Sequence, residues 1–182
     1  MIVNMEKAHP DEQLISRIAA GDREAFEKIY EATRSTVYSF SLSILKNRHD
    51  AEDIMHDTYI KIYQNAASYQ PSGKPLAWIL TIVKHLSYNR LRDRKTEDNI
   101  EDHDLSPACS GTDAAENRMI IDSMIKTLAD DERQIIVLHA SAGLKHREIA
   151  DLLDIPLSTV LSKYNRAIRK LRNRFSEKET AI

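Results

Sequence analysis

The last third of the chain constrains the fold most. From Leu128 to Phe175 it reads LADDERQIIVLHASAGLKHREIADLLDIPLSTVLSKYNRAIRKLRNRF. Arg147–Leu153 has the pattern of a short helix that turns Ile149, Ala150, Leu152 and Leu153 inward. The tripeptide Asp154-Ile155-Pro156 then makes a tight turn. Asp tolerates the left-handed conformation that ends a helix, although Gly does so more easily. Ser158 can cap the longer helix that follows. With successive residues set about 100° apart, Val160, Leu161, Tyr164, Ala167, Ile168, Leu171 and Phe175 fall on one side. Thr159, Ser162, Asn165, Arg166, Arg169 and Lys170 fall on the other. Between Ser158 and Phe175 there are six Lys/Arg and no acid. A basic outer face alone is common on solvated bundle helices. Joined to a preceding helix by so short a turn, it is the pattern of a helix-turn-helix whose second helix enters a DNA major groove.

The net charge of -2 hides a strong segregation. Residues 1–95 carry 14 Lys/Arg against 12 Asp/Glu, and residues 118–182 carry 12 against 9. The stretch between, residues 96–117, has no Lys/Arg and 7 Asp/Glu. It has no apolar period and reads as a flexible acidic linker between two mildly basic domains, 1–95 and 118–182. Helix formers dominate the chain and Gly and Pro are few, so the expected class is all-α, with two small helical domains. Cys109 is the only cysteine, which excludes an intrachain disulfide, a Cys-based zinc site and a CxxC redox motif. No apolar run approaches the ~18–20 residues of a membrane span, and no leader pattern opens the sequence. A soluble, cytoplasmic protein is expected.

The first domain reads as four helices. Asp11 opens a short one through Leu14, Ile15 and Ile18, which Gly21 ends, and Asp22 caps the next. Phe26, Ile29, Tyr30, Val37, Phe40 and Ile44 keep helical spacing along the second. A third is expected to start at Asp50, with the stripe Ile54, Met55, Tyr59, Ile62 and Ala66. The loop Ser68–Pro75 precedes a fourth, whose first turn suits Pro75. Leu76, Ile79, Ile82, Val83 and Leu86 turn inward along it, and it ends in the basic run Arg90–Lys95. Beyond the linker, Ile120, Ile121, Met124, Ile125 and Leu128 begin the second domain.

Other chemistry finds little support. His49–Asp57 holds two histidines and four acids, with Glu52 and His56 one helical turn apart. A carboxylate–histidine metal centre in a bundle needs matching Glu-x-x-His contributions from other helices. His85, His103, His139 and His146 have no acid three residues before them. No phosphate-binding Gly-rich loop, HExxH or GxSxG is present, so no cofactor, metal site or enzyme activity is expected.

Three blocks together resemble the extracytoplasmic-function (ECF) sigma factors of bacterial RNA polymerase. The C-terminal block is similar to the domain that reads the promoter −35 element. DAEDIMHDTYIKIYQN (Asp50–Asn65) looks like the helix that binds core polymerase. PLAWILTIVKHLSYNRLRDRK (Pro75–Lys95) is similar to the helix that reads and melts the −10 element. The resemblance implies that Ser158, Thr159, Ser162, Lys163, Asn165, Arg166 and Arg169 contact the −35 element. It gives Tyr69, Trp78, His85, Asn89, Arg90, Arg92 and Arg94 to the −10 element, with the loop Ser68–Gly73 holding a flipped-out base. It gives Asp50, Glu52, Asp53 and Asp57 to core polymerase. The acidic linker would thread polymerase channels, and an anti-sigma factor would be a further partner. Leu161 stands where the family often has Lys or Arg, Asn89 where it often has Asp, and His56 where it often has Gln. The rival reading is a free-standing dimeric helix-turn-helix regulator, which leaves the acidic helix, the aromatic–basic helix and the acidic linker without a role.

Overall fold

The computed structural model describes residues 10–97 and 127–179, with side chains followed to Arg94 and Arg174. Among these residues the only regular structure is helix, with no strand. The helices are α1 (Glu12–Ala19), α2 (Arg23–Leu45), α3 (Arg48–Asn65), a single 3₁₀ turn (Ala66–Ser68), α4 (Pro75–Glu97), α5 (Asp130–Ala140), α6 (His146–Leu153) and α7 (Leu157–Glu179). They form two compact units, α1–α4 and α5–α7. No described helix is long and apolar enough to cross a membrane. α4 runs on through Thr96 and Glu97, two residues into the stretch expected to be linker, because the helical backbone of the basic run continues past Lys95. Residues 98–117 of the acidic stretch, with His103 and Cys109, the apolar positions Ile120, Ile121, Met124 and Ile125, and the Lys95 and Phe175 side chains lie outside the described residues.

Local chemistry sets most helix ends. The Asp11 carboxylate accepts from the Gln13 N–H (3.0 Å) and Asp22 from the Ala25 N–H (3.1 Å), each satisfying an orphan amide of the first turn. Gly21, between these two helices, sits at φ 85°, a left-handed conformation that glycine adopts without penalty. Pro75 opens α4, where its missing N–H costs nothing.

One start differs from the sequence reading. α3 begins at Arg48, and its cap is Asn47, whose side chain accepts from the Asp50 N–H at 3.1 Å. Lys46 ends α2 in the left-handed region (φ 58°) and leaves Asn47 extended, which is the backbone a cap requires. Asp50 is thereby pulled into the helix and buried.

The core of the first unit joins all four helices. Ile15 and Ile18 from α1, Ile29, Val37 and Phe40 from α2, Ile54 and Ile62 from α3, and Ile79, Leu80 and Val83 from α4 are buried. Each large side chain removed from water contributes about 1.5–3 kcal/mol. Leu80 adds to the inward set expected for α4, whereas Ile82 and Leu86 are only half-buried. In the second unit Leu128, Ile136 and Ala167 pack together beneath Tyr164, Ile168 and Leu171. Ile149, Leu152 and Val160 are also buried.

Candidate nucleic-acid interface

In the second unit, α6 and α7 are joined by three residues. Asp154 adopts φ 58° and ψ 46°, and its N–H donates to the Ala150 carbonyl, so the aspartate ends α6 as the sequence suggested. At the other end of α6, the Glu148 carboxylate accepts from the Lys145 N–H (2.9 Å). α7 starts two residues earlier than a Ser158 cap would place it, at Leu157. The Pro156 carbonyl accepts from the Thr159 and Val160 amides at 2.9 and 3.1 Å, so Ser158 lies inside the first turn and is not its cap. Proline, with its fixed φ and no N–H to lose, suits the entry. Freed from capping, Ser158 is exposed and lines an open groove with Thr159, Ser162, Lys163 and Arg166.

Leu161 departs from the apolar stripe. It is 40% exposed, and Leu157 is 36% exposed, so the first six residues of α7, Leu157–Ser162, offer leucine and hydroxyl side chains with no charge. Leu161 lies at the edge of the stripe, where α5 and α6 do not cover it. Val160 and Ala167 carry the buried contact, and Tyr164, Ile168 and Leu171 are half-buried.

Farther along, the basic face is partly engaged within the unit. Lys163 pairs with Asp131 (2.5 Å) and Lys170 with Glu132 (2.7 Å), while Arg166 stands 3.9 Å from Glu132. Glu132 is 2% exposed, and it also accepts from the Ala129 N–H at 3.1 Å. Burial works to raise its pKa. The Lys170 and Ala129 hydrogen bonds, with the charges of Lys170 and Arg166, outweigh that and hold it below the ordinary value. Asp130, Asp131 and Glu132 fill the first turn of α5, where the helix dipole favours anions. Asn165, Arg166 and Arg169 are exposed.

In the first unit the aromatic–basic helix α4 presents His85, Tyr88, Asn89 and Arg92 to solvent, with Trp78 half-buried about two turns before His85. Tyr88, 44% exposed, joins this face: it follows His85 by three residues, a helical spacing that is the sequence signal for its place there. The Tyr69 ring lies 4.9 Å from that of Trp78, tilted by 59°. Arg90 and Arg94 are drawn toward α3: Arg94 pairs with Asp50 at 2.8 Å, and Arg90 reaches Asp53 at 3.2 Å and Asp50 at 3.8 Å. Asp50 therefore fastens α3 to α4 from a buried position, and Glu52, Asp53 and Asp57 remain exposed on α3. Beside them Ile60 and Tyr63 are 53% and 59% exposed, which gives the α3 face an apolar component that the acid pattern alone did not reveal.

Two family models match in chain order: sigma-70 region 2 over residues 29–97 and sigma-70 region 4 over residues 118–171. The chain is 29% identical over 169 residues to the ECF RNA polymerase sigma factor SigK of Mycobacterium tuberculosis (strain H37Rv), covering 88% of this chain and 90% of that protein. SigK of Mycobacterium sp. (strain KMS) matches at 29% over 170 residues, with 88% of each covered. Among solved structures, CnrH in complex with the cytosolic domain of CnrY has a TM-score of 0.68 at 20% identity, covering 92% of this chain and 98% of that one. The sigma factor RpoE of Bartonella quintana, in complex with the anti-sigma factor NepR, has a TM-score of 0.68 at 22% identity, covering 84% and 98%. These two are likenesses of fold. With both sigma regions matched in order and named relatives aligned along most of its length, the chain belongs to the ECF sigma factors of RNA polymerase.

Proposed function

We propose that this ECF sigma factor binds core RNA polymerase through α3 and delivers it to promoters whose −10 and −35 elements meet α4 and α7. The observation that carries this reading is the pairing of an uncharged, exposed α7 N-terminus with a cationic continuation. Ser158, Thr159 and Ser162 are placed to reach base edges, with Leu161 beside them as an apolar surface suited to a thymine methyl. Lys163, Asn165, Arg166 and Arg169 follow toward phosphate. On α4, Trp78, His85, Asn89 and Arg92, with Tyr69 in the loop, are assigned to the −10 element, and Arg90 and Arg94 support them from their α3 pairs. Glu52, Asp53 and Asp57, joined by Ile60 and Tyr63, form the acidic and apolar face for polymerase, with Asp50 holding that face against α4.

The division into residues 1–95, an acidic linker 96–117 and residues 118–182 follows this reading, with the linker mimicking a nucleic-acid backbone inside polymerase. The protein works in the cytoplasm, has no catalytic or cofactor role of its own, and is held by an anti-sigma factor when idle. The two fold neighbours in complexes with CnrY and NepR support that last assignment. The test is to mix the purified chain with core polymerase and follow size exclusion. A one-to-one complex that Asp53→Arg abolishes, with the helix content of the variant unchanged, is expected. A stable homodimer that ignores core polymerase would instead favour a free-standing regulator with palindromic sites.

A further inference from the structure

The loop between the 3₁₀ turn and α4 has to satisfy its backbone without regular structure. The Tyr69 N–H donates to the Ala66 carbonyl at 3.2 Å. The next anchors come from a distant element. One carboxylate oxygen of Glu12, Oε1, accepts from the Tyr69 hydroxyl at 2.6 Å, the Ser72 N–H at 2.7 Å and the Gly73 N–H at 2.8 Å. Three short, charge-assisted bonds therefore converge on one atom. The Tyr69 hydroxyl and then the Gly73 amide, with help from Ser72 and against a burial penalty, hold the Glu12 carboxyl below its ordinary range. Glu12 is fixed in turn by its helix. It is the first residue of α1, just after the Asp11 cap, and Ile15 and Ile18 seat α1 in the core.

The same three bonds define the loop. They aim the Tyr69 ring at Trp78 and hold Gly73 at φ 70°, where a Cβ would meet nothing within 4 Å but the left-handed backbone disfavours any other residue. We propose that Glu12, which lies outside every segment assigned to DNA, is a positioning residue for promoter opening: its carboxylate holds Tyr69–Gly73 in the shape that receives an unstacked −10 base. This rests on the reading of that loop as the base-holding element. A loop already shaped gives its contacts to the flipped base without first being ordered, so that more of the stacking and hydrogen bonding goes toward opening the duplex.

The experiment uses the full chain with core polymerase on a promoter selected by the wild-type complex. A fluorescent base analogue in the −10 element reports opening, and each −10 and −35 position is varied through the four bases. Glu12→Ala is expected to slow opening by roughly tenfold to a hundredfold. It should also flatten base preference at one −10 position while −35 preference and co-elution with core polymerase stay unchanged. Glu12→Gln should recover part of the rate, because its amide oxygen still accepts from the same donors without the charge. Tyr69→Phe, which removes one of the three bonds and keeps the ring, should fall between, and with Glu12→Gln it carries the test if Glu12→Ala does not fold. Wild-type opening and preference in Glu12→Ala, alongside a flattened −10 preference in Tyr69→Ala, would overturn the role of Glu12 alone. Unchanged −10 preference in Tyr69→Ala would overturn the reading of the loop, and this inference with it. Equal losses at −10, −35 and core binding, without recovery in Glu12→Gln, would reduce Glu12 to general stability and also overturn the proposal.

Discussion

Thr33 has one hydroxyl proton and two neighbours for its oxygen. It donates to the Ile29 carbonyl at 2.6 Å and lies 2.8 Å from the Tyr59 hydroxyl, in a site that is closed to water. Since the Thr33 proton is committed to Ile29, Tyr59 is the donor across the α2–α3 contact. Burial holds the Tyr59 phenol far above its ordinary pKa, the Thr33 bond notwithstanding, so it stays protonated and able to donate. Thr33→Val keeps the shape, removes the acceptor and leaves that O–H with only a long contact to the Tyr30 carbonyl at 3.5 Å. A loss of about 1–3 kcal/mol in the stability of the first unit is expected. Tyr59→Phe should cost less, because Thr33 keeps its bond to Ile29, and adding it to Thr33→Val should recover much of the loss. Chemical denaturation of the wild type and these three variants checks the coupling, and simple additivity would count against the assigned donor. Nothing in the sequence announced this pair. Tyr59 was legible as a core position from its spacing, but its partner is 26 residues away, and helical periodicity does not reach across elements.

At the scale of elements, what was legible was what is local. Asp11, Asp22 and Asp154 mark helix ends through bonds to residues within a turn, and Pro75 through its missing N–H, and such signals can be read from one stretch of chain. Asn47 and Asp50 are both good caps at a spacing of three, and only the left-handed Lys46 decides between them. The α3–α4 and α5–α7 ion pairs join residues more than thirty positions apart, so Asp50, Arg94, Lys163 and Lys170 read as free charges until the helices are packed. The contact of α5, α6 and α7 around His139, His146 and Tyr164 belongs to the same class. The two imidazoles stack at 4.9 Å with 12° between their planes, and both meet the Tyr164 ring edge-on. His139 Nδ1 lies 3.0 Å from the Leu144 carbonyl, and His146 Nε2 is buried without a hydrogen-bond partner. Burial first, then the charge of His139, holds the His146 pKa below its ordinary value of 6.5. The unfolded chain therefore takes up a proton before the folded one, so stability rises with pH in that window. The contribution is complete above pH 6.5 and is lost as pH falls from there through the lowered folded value. Thermal melts of the second unit's signal should fall across that range in the wild type, and His146→Phe, which keeps an aromatic ring in the stack, should flatten the fall. An unchanged slope in the variant would place the titrating group elsewhere.

For the whole molecule, the -2 net charge conceals two basic parts and an acidic connector, and the two basic parts are weaker toward DNA than a count of cations suggests. Of the six Lys/Arg between Ser158 and Phe175 on α7, Lys163 and Lys170 already hold Asp131 and Glu132, and Arg90 and Arg94 of α4 hold acids of α3. Each pair that persists on DNA removes one cation from phosphate neutralisation, which lowers both affinity and salt sensitivity. The free chain is thus expected to bind promoter duplex weakly, with log K falling against log salt at a slope of roughly −2 to −4 rather than the about −5 that the six cations between Ser158 and Phe175 would give together. Polymerase changes the arithmetic without changing any contact. Once one module is engaged on a chain held by polymerase, the second meets its element at a high effective concentration, and the joint affinity exceeds either alone by about 10²–10⁴. Scrambling either promoter element should therefore cost the polymerase-bound protein most of that factor, and cost the free chain little. Titrations of promoter DNA with one or both elements intact, across a salt series and with and without core polymerase, measure both quantities. Tight binding by the free chain that depends equally on both elements would mean that the chain itself sets the spacing of its two DNA-reading units. Dependence that emerges only with polymerase assigns that spacing to the enzyme it serves.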